Sequence, residues 1–243
     1  MPDSLIPRPL AGKVAVLTGV SRPGQVGEAV ARSLAERGVA VVLIDRTGVE
    51  SEARARELSD DGLDARAFRG DLTDTAQLDA IARTVSDEFD GVDAVVNIAG
   101  GFSMSGKVAE SDPEAWSKQL AIGLTTAYLT TRAFLPLVRK RRGAVVFFAS
   151  AAALPGGRVA EMSAYAASKA GVVALMRSIA QEERDTGVRA NALAPTSIRT
   201  AANLESMGEG VRYVEREEVA DAVEFLCFSR ASRSITGQVI QLG

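Results

Sequence analysis

The sequence predicts an α/β protein, a parallel, doubly wound sheet with helices on both faces. Three observations predict it. Short β-branched and aliphatic runs alternate with longer segments of helical apolar spacing along the whole chain. The runs are nearly continuous in apolar residues, as strands buried on both faces must be. Glycines and polar residues gather just after the runs, on the edge where a parallel sheet binds ligands.

The 243 residues suit one domain with a large core, and no linker, repeat or low-complexity tract divides them. Hydrophobic residues at 47% and charged residues at 24% give the balance of a soluble globular protein. A net charge of −3 supplies no long-range attraction to nucleic acid or an anionic membrane, so neither is expected as a partner. Histidine is absent, which removes His-based metal sites and Ser-His catalysis, and no metal is expected. Cys227 is the single cysteine; it forbids an intrachain disulfide and reads as a buried, inert thiol in a reducing compartment. The first residues, Met1 to Pro9, carry no apolar core for a signal peptide, and no run reaches the roughly 18 apolar residues of a membrane span. A cytoplasmic location is the expectation.

Taken in order, a proline-punctuated leader over 1–11 precedes a strand at Lys13–Thr18. Gly19, Gly24 and Gly27 then lead into a helix over Glu28–Gly38, and Val39–Asp45 is a second strand. In this βαβ unit the glycines let backbone approach a pyrophosphate, and the helix N-terminus supplies free amides. Asp45 ends the second strand eighteen residues beyond Gly27, where a carboxylate accepts both ribose hydroxyls of an adenosine and repels a 2′-phosphate. A strand over Asp64–Arg69 leads to Gly70-Asp71-Leu72-Thr73, then a helix over Asp74–Asp90 and a strand over Val92–Asn97. A long helix follows from Asp112 to Arg139, capped by Ser111 or Asp112, with Pro136 expected to kink or end it. Gly143–Ser150 is a strand, Ser163–Glu183 a helix, Val188–Ala194 a strand, Glu217–Phe228 a helix and Gln238–Leu242 the last strand.

Tyr165 and Lys169, four residues apart, share one helix face. A phenol normally keeps its proton to about pH 10, and an ammonium beside it favours the phenolate. That helix follows the strand ending in Ser150, so the pair belongs to the same sheet edge as Gly19, Asp45, Asp71, Asn97 and the Thr196–Thr200 segment.

Thr18-Gly19…Gly24…Gly27, Asn97-Ile-Ala99-Gly100, Ser150, Tyr165-x-x-x-Lys169 and Pro195…Ile198-Arg-Thr200 together resemble the short-chain dehydrogenase/reductase family, from Lys13 to the last strand. The resemblance implies a single-domain Rossmann fold with a seven-stranded sheet and a nicotinamide cofactor. It implies hydride transfer between a carbonyl and an alcohol, small molecules both. Tyr165 would be the general acid or base. Lys169 would hold the nicotinamide ribose and lower the Tyr165 pKa, and Ser150 would stabilise the substrate oxygen. Gly19, Ser21, Gly24, Val26 and Gly27 would surround the phosphates, with Arg22 near them. Asp71 would bind adenine with Leu72 beside the ring, or else cap the next helix. Asn97, Ala99 and Gly100 would pass under the ribose, although Asn97 suits a structural bond between strands equally well. Pro195, Ile198 and Thr200 would pack by the carboxamide, unless Thr200 only starts a helix. Asp45 argues for NAD(H); Arg46 beside it either pairs with a 2′-phosphate or stacks on adenine, so NADP(H) stays open.

Three departures from the family pattern stand out. The loop from Gly19 to Gly27 is about two residues longer than the common form. Gly123 stands where the family usually carries an asparagine of a proton relay, so that either water fills the space or turnover is slow. The lid, about 201–215, is short and glycine-bearing, which suggests an open site. The resemblance suggests a 3-oxoacyl thioester reductase as one substrate class, which the pocket residues do not establish. The alternatives are a dihydropteridine or quinonoid reductase, and a nucleotide-binding protein with weakened chemistry. Apolar faces on the Asp112–Arg139 and Ser163–Glu183 helices imply a homo-oligomer, a dimer or tetramer.

Overall fold

The computed structural model describes residues 8–243, so the leader lies outside the described residues as far as residue 7. The strands are β1 Val14–Thr18, β2 Ala40–Asp45, β3 Ala65–Arg69, β4 Ala94–Asn97, β5 Ala144–Phe148, β6 Arg189–Pro195 and β7 Val239–Leu242. They form one sheet in the order β3-β2-β1-β4-β5-β6-β7, and every pairing is parallel. The order reverses between β1 and β4, which pair from Ala15↔Ala94 to Thr18↔Asn97. Asp93 ties that junction, accepting Val14 N–H at 3.0 Å and the Lys13 ammonium at 2.9 Å.

The helices are α1 Val26–Glu36, α2 Val49–Asp60, α3 Thr75–Phe89, α4 Pro113–Leu120, α5 Thr126–Arg141, α6 Ser163–Glu182, α7 Ala201–Met207 and α8 Arg216–Phe228. Alternation along each strand feeds two cores. Val16, Val42, Val95 and Phe147 pack with Leu78 of α3, Phe134 of α5 and Met176 of α6. Leu17, Leu43, Val96 and Val146 pack with Leu34 of α1, Leu58 of α2 and Val223 of α8. Each fully buried side chain of this size contributes about 1.5–3 kcal/mol, so the two layers hold the sheet rigid beneath its ligand edge. Cys227 is buried in the second core, where burial pushes its thiol up to about 12.

The predicted strands are all present, with ends shifted by at most two residues. One helix was not predicted. α2 occupies the span left unassigned between Asp45 and Asp64, because only Ser51, Ala55 and Leu58 are buried and the rest is largely charged. Two parallel neighbours, β2 and β3, need a crossover, and α2 is that crossover. Pro136 does not end its helix at Arg139. α5 runs through it to Arg141 and stops at Arg142, whose φ is 49°. Buried Phe134, Leu137 and Val138 hold the last turns on the core despite the hydrogen bond that proline removes. The long helix also opens into a π turn at Ala121–Thr125, centred on Gly123.

The lid is short, as expected, but internally tied. Thr200 caps α7 by accepting Asn203 N–H at 3.2 Å. The chain then returns so that Val214 bridges Ile198 in parallel. Arg199 pairs with Glu215 at 2.7 Å and lies 5.0 Å from the centre of the Tyr213 ring, whose hydroxyl donates to the Gly208 carbonyl at 2.6 Å.

Candidate active site

A cavity of about 510 Å³ opens at the carboxyl ends of β1, β2 and β4. Ten predicted residues line it: Gly19, Ser21, Val26, Gly27, Asp45, Arg46, Asp71, Leu72, Ala99 and Gly100. Gly19 has φ 75°, and a Cβ there would fall 2.7 Å from the Ala99 backbone. A Cβ on Gly27 would meet the Gly19 carbonyl at 2.6 Å. Only glycine permits this close convergence of β1, α1 and the β4 loop. Thr18 secures it by accepting Ala99 N–H on its hydroxyl at 3.2 Å. Gly24 does not line the cavity. Its N–H donates to Glu28 at 2.6 Å, so the inserted part of the long loop turns onto the flank of α1.

The acids at the strand ends are held by their own turns. Asp45 Oδ1 accepts the N–H and hydroxyl of Thr47, each at 3.0 Å, and its Oδ2 has no hydrogen bond among the described residues. Asp71 accepts the hydroxyl of Thr73 at 2.6 Å and its N–H at 2.8 Å. Those bonds lower its pKa, helped by the nearby charge of Arg46. Asp71 does not cap α3; Asp74 does, through Ala76 and Gln77 N–H.

A second cluster sits at the end of β5. Lys169 is 5% exposed and donates to the Phe148 carbonyl at 2.7 Å. Ser150 is buried two residues further on, and its oxygen accepts Ala152 N–H at 3.2 Å. Burial raises the Tyr165 phenol above its ordinary value, and the Ser150 hydroxyl beside it pulls the other way. Desolvation dominates, and the Lys169 ammonium is engaged with a main-chain carbonyl. The Phe102 ring meets Tyr165 edge-on, 5.1 Å between centres.

Asn97 bonds a helix rather than the backbone of a neighbouring strand. Its side chain is buried, donates to the Thr131 hydroxyl on α5 at 3.1 Å, and leaves Oδ1 without a partner. Pro195 is buried at the end of β6 beside Leu242 of β7. The Ile198 carbonyl accepts both Thr200 N–H at 2.9 Å and the Asn203 amide at 2.8 Å, leaving its N–H for a ligand. The Thr200 oxygen accepts Asn203 N–H in capping α7, which leaves its own proton to donate to a ligand. Cavity residues that the sequence did not flag are Gln25, Thr47, Glu50, Thr73, Ile98, Ile122 and Thr126. Ile122 and Thr126 come from the π turn rather than from a strand end, so strand-end reasoning could not find them.

Gly123 is closed by protein. A Cβ there would lie 2.7 Å from the Ser168 hydroxyl and 3.1 Å from Ser168 Cβ. Ser168 itself is fully buried and donates to the Tyr165 carbonyl at 2.8 Å. The Cβ position at 123 is therefore taken up by α6.

A profile described as short chain dehydrogenase matches residues 13–209. The 3-oxoacyl-[acyl-carrier-protein] reductase FabG of Vibrio cholerae is 32% identical over 245 residues, covering 96% of each chain. Galactitol 2-dehydrogenase of Rhizobium johnstonii is 35% identical over 247 residues, 96% of this chain and 94% of that one. Among solved structures, gox2181 matches with TM-score 0.88 at 29% identity, over 96% of this chain and 95% of that one. A short chain dehydrogenase from Mycobacterium smegmatis matches with TM-score 0.84 at 31% identity, over 97% and 93%. The chain belongs to the short-chain dehydrogenase/reductase family. It is an NAD(P)-dependent oxidoreductase acting on CH–OH or carbonyl groups.

The cavity fits a dinucleotide. No side chain caps α1, so its first amides remain free toward the cavity that Gln25, Val26 and Gly27 line. Asp45 Oδ2 stands ready for ribose hydroxyls, and the glycine cradle admits backbone-close phosphates.

Two predictions follow from this packing. Ala at 123 would gain about 1 kcal/mol of helix propensity, but overpacking typically costs about 1–3 kcal/mol. Urea unfolding should show Gly123→Ala and Gly123→Asn destabilised, Asn more so, with Ser168→Ala recovering part of the Ala loss. Wild-type stability in both would refute the tight contact. The second concerns Lys169, which burial lowers from 10.5 to about 8. The folded state gives up this proton before the unfolded chain does, so stability rises as pH climbs from about 8 toward 10.5. Cys227 opposes this above about 9, because only the unfolded thiol ionises there. Denaturation between pH 8 and 9 should show rising stability that is absent in Lys169→Met; a flat wild-type curve would reject the buried ammonium.

Proposed function

We propose that this enzyme prefers NAD(H) and interconverts a ketone or aldehyde with an alcohol, Tyr165 exchanging the proton. The observation that carries the reading is the cluster at the end of β5. There the Lys169 ammonium lies on the Phe148 carbonyl, with Ser150 two residues on and the half-buried Tyr165 phenol beside it. The curated relatives support the reaction class, since one is named a reductase and another a dehydrogenase. A 3-oxoacyl thioester is one substrate class that the Vibrio cholerae relative's name suggests.

In the reducing direction Tyr165 delivers its proton to the substrate oxygen. Burial keeps that proton on the phenol until a stronger base, the developing alkoxide, takes it. Ser150 assists because its oxygen is already an acceptor for Ala152 N–H, leaving its own proton to donate to the same substrate oxygen. Lys169 uses one of its three N–H groups on Phe148, so two remain for the ribose hydroxyls of the nicotinamide side. Its charge also compensates the phenolate formed after proton transfer. The nicotinamide supplies or takes up the hydride when bound. Asp45 directs its free oxygen to the adenosine ribose and disfavours a 2′-phosphate, while Arg22 and Arg46 line the same cavity and favour anions.

Tyr165→Phe should cut kcat by about 10²–10⁴-fold while NADH still binds; full turnover in that variant sinks the mechanism. Paired fluorescence titrations should give tighter binding of NADH than NADPH, with Asp45→Ala narrowing the gap. Equal affinities in the wild type would remove the cofactor assignment without touching the Tyr165 chemistry.

A further inference from the structure

Gln119 is a buried amide on the inward face of α4, only 6% exposed, in a helix whose other polar side chains reach solvent. Both ends of its amide are used. Its Nε2 donates to the Gly101 carbonyl at 2.9 Å, and its Oε1 accepts the Ser103 hydroxyl at 2.8 Å. The two bonds straddle Phe102. Further along, Ser105 N–H donates to the Glu161 carbonyl at 2.7 Å, and the Ser105 hydroxyl lies 3.3 Å from that of Ser163. Residues 101–105 therefore form a strap pinned on alternate positions. Ser103 and Ser105 turn inward to the pins, while Phe102 and Met104 stay 60% and 54% exposed. One edge of the Phe102 contact is already defined, since its ring stands at 81° to Tyr165 with 5.1 Å between centres.

We propose that Gln119 is a positioning residue that clamps this strap, and that the clamped Phe102 selects carbonyl substrates bearing an aryl or alicyclic group beside the reacting carbon. The selection rests on the Tyr165-centred reading above; the clamp does not. An aromatic ring held beside the proton donor, with most of its surface open, gives a flat apolar group a partner that a small ketone cannot use.

The test compares kcat/KM for an aryl methyl ketone with that for acetone, using NADH. Phe102→Ala should lower the aryl-to-acetone ratio roughly tenfold, the loss falling in KM. Gln119→Leu should lower it in the same way, and the double variant should be no worse than Phe102→Ala, because both act through one ring. An unchanged ratio in Gln119→Leu, additive losses, or an equal fall in kcat for both ketones would overturn the proposal. If Gln119→Leu does not fold, Ser103→Ala breaks one clamp bond from the loop side and is scored identically. Should the wild type bind NADH yet reduce neither ketone, the selection is overturned while the reading of Tyr165 stands on its own test. The clamp is then decided by hydrogen exchange of the ligand-free protein. Gln119→Leu, or Ser103→Ala in its place, should speed exchange of the 102–105 amides about tenfold over the wild type, and unchanged protection overturns the clamp.

Discussion

The bond from the Lys169 ammonium to the Phe148 carbonyl is the contact on which the rest of the site depends. A buried cation is costly, and the cost is met only where its protons find acceptors. A strand-end carbonyl of a parallel sheet is such an acceptor, because the ladder stops there. The bond therefore fixes α6 at one height along β5. Ser150 lies two residues beyond that carbonyl and Tyr165 one helical turn before that ammonium, so a single interaction sets three groups. The sheet beneath is locked by two apolar layers, which leaves the strand ends as the only place where polar groups can be exposed to a ligand without disturbing the core.

Much of this was legible because it is periodic or covalently close. Seven buried runs, the glycine-bearing turn after β1 and the four-residue spacing of Tyr165 and Lys169 each have one physical meaning. α2 was not legible. It buries just Ser51, Ala55 and Leu58, too little to stand out from a polar loop, and only the need for a crossover betrays it. Pro136 misled for the opposite reason: local backbone chemistry says stop, and three buried neighbours overrule it. Within the site, the roles assigned to Asn97 and Thr200 depended on which atom each side chain would reach. Asn97 reaches Thr131, thirty-four residues away, and no spacing rule can announce that bond.

The pKa of Tyr165 shows a similar limit. An ammonium on the same helix face suggests a lowered phenol, yet burial is the larger effect and acts upward. The two statements concern different partners. Sequence spacing brings Lys169 to the correct face, but the Phe148 carbonyl, invisible in that spacing, claims the ammonium. What remains is a phenol that favours its protonated form, the form required of an acid in carbonyl reduction.

Gly123 is best understood with Ser168 rather than as a missing side chain. Any Cβ at 123 would strike Ser168, which is fully buried and bonded to the carbonyl of Tyr165. The glycine thus lets α6 approach the π turn, and its destabilising effect in a helix, about 1 kcal/mol, is set against that close approach. A helix position that looks like a lost function is, in this packing, a point from which the helix carrying Tyr165 is positioned.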